Sequence, residues 1–120
     1  MKGYSIIIDP VQGVMETSRT DWDKPIPLNV LQSAVGGFIE SIPLFECMMY
    51  EGQEIETVAF CNEEGKLNNL PRNEVAQGIW TASIASRNNI SYEEAEKSTQ
   101  DVLVGPVIVV WGDEEFMAEL

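Results

Sequence analysis

The sequence predicts an α+β fold: a mostly antiparallel sheet of about five or six strands, with two or three short helices packed on one face. Three observations carry this. Runs rich in β-branched and aromatic residues recur at Tyr4–Ile8, Ile55–Cys61 and Val102–Trp111. Two stretches between them place apolar residues at helical spacing. Strands and helices do not alternate regularly, as they would in a doubly wound parallel sheet. At 120 residues the chain has room for one domain, residues 1–120, around one core. Its 44% hydrophobic content, with three Trp, four Phe and three Tyr, is enough to build that core.

Taken in order, Tyr4 to Ile8 reads as a strand with Tyr4, Ile6 and Ile8 on one face, and Asp9 to Gly13 supplies turn chemistry behind it. Val14 to Thr20 returns as a more polar partner strand nearer an edge, before the Pro-rich segment Asp21 to Pro27 breaks pairing. Leu28, Leu31, Ala34 and Val35 then share one helix face, which Gly36-Gly37 stops. Phe38–Ile42 and Phe45–Tyr50 read as strand interrupted by Pro43. Glu51 to Gln53 turns the chain into Ile55–Cys61, which ends in the loop Asn62 to Lys66. A second helix follows Asn73, with Val75, Ala76, Ile79, Trp80 and Ser83 as a wide inward stripe. Ser91 to Glu94 is a capping box for a short third helix. Val102 to Trp111 is the last strand, and Asp113-Glu114-Glu115 follows as a charged guard against edge pairing.

Composition excludes several kinds of chemistry. There is no histidine, so Ser-His-Asp and Cys-His pairs, His-ligated zinc and an imidazole base are absent. Twenty acids against seven bases give a net charge of −13. The bases, Lys2, Arg19, Lys24, Lys66, Arg72, Arg87 and Lys97, are scattered singly, so direct nucleic-acid binding is not expected. Val102–Trp111 is about half the length of a membrane span, and the apolar run before Asp9 is too short for a secretory signal. No membrane contact and a cytoplasmic location are the expectation. Cys47 and Cys61 read as reduced, hydrophobe-like thiols with no base to activate them.

The acid excess is uneven: between Gly36 and Glu64 there are seven acids and no base. Glu46, Glu51, Glu54, Glu56, Glu63 and Glu64 are therefore read as an acidic face, with a merely solubilising surface as the plainer account. Glu40, beside the Gly-Gly stop, could grip a ligand hydroxyl or could simply point outward from a strand. Asn73 could touch a partner or cap its helix. Asp21-Trp22-Asp23 begins like a calcium loop but meets Pro25 where a ligand is needed, so no metal is expected.

Three segments taken together, LQSAVGGFIE at 31–40, FCNEEGKLNNLPRNEVA at 60–76 and VGPVIV at 104–109, resemble the family catalogued as domain of unknown function 3846. Gly36, Gly37, Glu40, Gly65, Lys66, Leu70, Pro71, Asn73, Ala76 and Gly105 carry the likeness, over about residues 28 to 111, with Arg87–Gln100 as an insertion or local elaboration. The resemblance implies a phage, prophage or mobile-element setting and assigns no activity. With the charge, it leads to the expectation of a non-catalytic binding protein whose acidic face meets a basic groove on a host protein, such as a defence enzyme. The alternative is a protein that sequesters a small molecule such as a nucleotide signal, using the region of Asn62, Lys66 and Asn73. A purely structural role is the third reading. No cofactor is expected, and the unpaired edge at Val14–Thr20 leaves a homodimer open.

Overall fold

The computed structural model describes residues 1–99 and 101–120, and all their side chains except those of Glu16 and Thr17. The elements are β1 (Gly3–Asp9), β2 (Gly13–Trp22), α1 (Leu28–Val35), β3 (Ile39–Ser41), β4 (Cys47–Tyr50), β5 (Gln53–Glu56), β6 (Val58–Asn62), α2 (Glu74–Asn88), α3 (Tyr92–Ser98), β7 (Val107–Gly112) and α4 (Glu114–Met117). The fold is α+β. A five-stranded sheet runs β2-β1-β7-β6-β3 with every neighbour antiparallel, and β4 and β5 form a separate hairpin.

Local chemistry explains the hairpins. Asp9 Oδ1 accepts the N–H groups of Val11 and Gln12, each at 2.8 Å, which closes the β1–β2 turn. The register of this pair slips between Ser5 and Ile7, where Ser18 Oγ accepts the Ile7 N–H at 2.8 Å and donates to the Met15 carbonyl at 2.6 Å. In the β4–β5 turn Glu51 and Gly52 both take positive φ, 50° and 80°, the geometry of a two-residue turn between twisted strands.

The helices lie on both faces of the sheet rather than on one. Ile6, Ile8, Val107, Val109 and Trp111 pack with Ala76, Trp80 and Ile84 of α2, Ala95 of α3, and Met48. Ile108, Val110 and Phe60 pack with Leu31 and Val35 of α1 and with Phe116 of α4. The reason is β7. Val107 to Trp111 are all buried, so alternate residues of one central strand need cover on two sides.

Two further expectations are corrected. The last strand starts at Val107 and not Val102, because Gly105 turns left-handed at φ 73° and Val104 makes only an isolated bridge to Arg72. Asp113-Glu114-Glu115 does not guard an edge, since β7 is central. It opens α4, where Asp113 Oδ1 accepts the Phe116 N–H at 2.9 Å. The segment read as an elaboration, 87–100, includes α3, whose Ala95 is wholly buried in the core; its last residue, Gln100, lies outside the described residues.

Asn73 joins the layers. It is fully buried, its Oδ1 accepts the Ala76 N–H at 3.0 Å as the cap of α2, and its Nδ2 donates to the carbonyls of Ile8 and Gly105, both at 2.9 Å. Replacing Asn73 by Ala removes the cap and strands two buried carbonyls. We expect a loss of about 3 kcal/mol in urea unfolding. Asn73→Ser keeps the cap oxygen and should recover only about 1 kcal/mol of it. Full recovery by Ser would refute the tie to Ile8 and Gly105.

Candidate functional site

The pairing of β3 with β6 sets Glu40 opposite Cys61. The loop after β6 then turns back on itself: Gly65 N–H donates to the Asn62 carbonyl at 3.2 Å and Leu70 N–H to the Gly65 carbonyl at 3.0 Å. A side chain at Gly65 would meet Val104 at 2.9 Å, so only glycine lets this turn lie against the 101–104 segment. The result is a cleft of about 180 Å³ lined by Glu40, Cys61, Asn62, Glu63, Lys66 and Asp101 above Ile42, Trp80 and Leu103.

Three of the four residues singled out for binding, Glu40, Asn62 and Lys66, therefore meet in one place. Asn73 is not among them. It is buried, and both of its amide hydrogens and its oxygen are engaged within the fold, so it has nothing to offer a ligand. Asn62 lines the cleft but is also committed: Nδ2 donates to the Val35 carbonyl at 3.1 Å and Oδ1 accepts the Glu64 N–H at 2.8 Å. The exposed, chemically available groups are the carboxylates of Glu40 and Glu63 and the ion pair of Lys66 with Asp101. Lys66 and the Val102 N–H hold the Asp101 carboxyl below its ordinary value.

Asp101 and Cys61 were not marked as site residues from the sequence. Asp101 stands 35 residues from Lys66, and no local signal links the two. Burial pushes the Cys61 thiol up to about 11; the Glu40 and Asp101 carboxylates add to this and Lys66 opposes it. Such a thiol is a poor nucleophile near neutrality.

The six residues of the expected acidic face divide into two groups. Glu63 lines the cleft and Glu64 follows it, whereas Glu46, Glu51, Glu54 and Glu56 surround the β4–β5 hairpin. The split arises because β6 leaves the hairpin and enters the main sheet. Arg87 approaches Glu46 at 4.0 Å and Glu56 at 3.7 Å, Arg19 approaches Glu51 at 3.9 Å, and Ser86 Oγ donates to Glu54 at 2.8 Å. A groove of about 750 Å³ runs between the hairpin and α4, with Glu46, Glu56 and Glu114 around the single cation Arg87.

The hairpin is fixed to the body of the fold. Ser83 Oγ accepts the N–H groups of Glu46 at 2.9 Å and Cys47 at 3.2 Å and donates to the Leu44 carbonyl at 2.9 Å. Tyr50 packs on Trp111 with centroids 4.9 Å apart, and Arg19 lies over Tyr4 and Tyr50 at 4.8 and 5.9 Å. Among the described residues no group of three or more His, Cys, Asp or Glu is placed to hold a metal ion, and no helix is long and apolar enough to cross a membrane.

The state of Cys61 can be read by alkylation in a Cys47→Ser background. At pH 8 we expect iodoacetamide to modify Cys61 about 100-fold more slowly than free glutathione, with the rate rising up to about pH 11. Glu40→Gln removes a neighbouring negative charge and should speed the reaction, and Lys66→Ala should slow it. A rate matching glutathione would exclude this environment for Cys61.

No curated protein and no solved structure matches the chain. A family model described as domain of unknown function (DUF3846) matches residues 1–119, which extends the likeness beyond 28–111 to include the β1–β2 hairpin. The chain belongs to the DUF3846 family.

Proposed function

We propose that the chain is a non-catalytic binding protein that docks on a basic surface of a partner protein through the acids of the β4–β5 hairpin. The observation that carries this is a charge imbalance on one fixed, exposed element. Of four carboxylates, Glu54 accepts from the Ser86 hydroxyl at 2.8 Å, and Glu46, Glu51 and Glu56 are met by two guanidiniums, Arg19 and Arg87, at separations of 3.7 Å or more. Exposed pairs of this kind are weak, so incoming Lys or Arg side chains can displace them. A net charge of −13 would steer a basic partner toward the protein over distances set by ionic strength. In the phage or mobile-element setting implied by the family likeness, the partner is a host protein in the cytoplasm, and no enzyme activity, cofactor or direct nucleic-acid contact is part of the reading.

The cleft supports a second reading, a small-molecule site, because it gathers Glu40, Cys61, Lys66 and Asp101. A nucleotide suits it poorly. Three carboxylates, Glu40, Glu63 and Asp101, surround one lysine that is already paired, which repels phosphate. A small molecule rich in hydroxyl or amine donors fits better. Native mass spectrometry of protein from its natural host would show such a ligand, lost in Glu40→Ala.

The first reading is tested by affinity capture from host lysate at about 0.05 M and about 0.5 M salt. We expect a basic protein retained only at low salt, and lost at both in the quadruple variant E46Q/E51Q/E54Q/E56Q. Capture indifferent to salt and to the four substitutions would eliminate the acidic surface as the cause.

A further inference from the structure

The helix stripe expected to face inward divides in two. Ala76, Trp80, Ser83 and Ile84 point into the core, but Val75 is 41% exposed and lines a groove with Ile79 and Ala82. That groove, about 600 Å³, lies along α2 between β4 and α3, with Met49 at 66% exposure and Tyr92 at 46% on its sides. Large apolar residues this exposed, gathered in one concavity, mark an interaction surface more often than isolated exposed side chains do.

The geometry of α2 specifies the shape of the occupant. Val75, Ile79, Ala82 and Ser86 all line the groove at spacings of four, three and four residues, which is the seam that a second helix packs against. Gly78, also in the lining, and Ala82 are small, which allows close approach along a floor of roughly 17 Å at 1.5 Å per residue. Met49 supplies a flexible, polarisable contact able to fit different apolar anchors, and Met48 lies beneath it where the groove meets the core.

Charge specifies the rest. The groove lining contains Glu54 and Glu74 and no Lys or Arg. Glu54 makes no ion pair among the described residues, and its carboxyl is held below its ordinary value chiefly by the Ser86 hydroxyl; Glu74 pairs with Arg72 at 3.0 Å, an exposed contact that an incoming cation can displace. A second copy of this chain would bring another net charge of −13 to the same place, so self-association there is opposed.

We propose that the Met48–Met49 groove along α2 receives an amphipathic helix of a partner protein, apolar on the buried side and flanked by Lys or Arg that meet Glu54 and Glu74. This rests on the binding reading above and adds the structural class of the partner segment. Glu54 belongs both to the hairpin and to the groove, so the two surfaces are continuous.

The test is titration of the full chain, labelled at the methionine methyls, with a Leu–Lys amphipathic peptide of about 14 residues. We expect the Met48 and Met49 signals to move while those of Met1, Met15 and Met117 stay. A peptide of equal charge with Ser for Leu should move none of them. Ala82→Glu and Met49→Glu, both at exposed positions, should each weaken binding about tenfold with circular dichroism unchanged. Binding that leaves Met48 and Met49 unmoved, or that ignores both variants, overturns the groove while leaving the acidic hairpin standing. No binding of the Leu–Lys peptide overturns it as well. A dimer that Ala82→Glu dissociates in sedimentation would assign the groove to a second copy and also overturn the proposal.

Discussion

One buried amide holds the layers of this protein together. Asn73 sits where α2 begins, where β1 ends and where the chain turns toward β7, and its three hydrogen bonds reach all three. In an apolar core such a group is costly unless every donor and acceptor is matched, so it favours the one arrangement that matches them. The placement of α2 follows, and with it Trp80, which forms part of the cleft floor, and Ser83, which anchors the hairpin. The candidate surfaces described here all depend on where that helix lies.

The surfaces differ in chemistry. The cleft mixes two carboxylates, an ion pair and a thiol in a small volume, while the hairpin and the α2 groove offer charge and apolar area side by side. Without histidine, proton transfer near neutrality has no ordinary carrier in the chain, and the one thiol in the cleft is moved away from reactivity by burial.

Much of the fold was legible because its signals are local. The Asp9 turn, the Gly36 stop, the Asn73 and Ser91 caps and the edge position of β2 each follow from a few neighbouring residues. Non-local consequences were harder to see. The run Val107–Trp111 signals burial on both sides, yet which helices supply the cover depends on strand order, which periodicity does not encode. The site was half legible for the same reason: Lys66 follows Gly65 and Glu40 lies three residues past the Gly36-Gly37 stop, while Asp101 reaches Lys66 only through the folded chain. On α2 the core stripe and the groove stripe overlap at adjacent residues, so Val75 beside Ala76 and Ile79 beside Trp80 read as one wide face.

The position of β7 has a further consequence for how the protein is made. Its partners β1 and β6 cannot find each other without it, and the β1–β7 pairing joins Ile6 to Val109 across most of the chain. Closing so long a loop before its contacts form slows folding. Until Val107 to Trp111 are in place, β1 and β6 present open edges, and the helices on both sides have no common floor. A chain cut short before β7 therefore resembles a template for aggregation more than a smaller version of the protein.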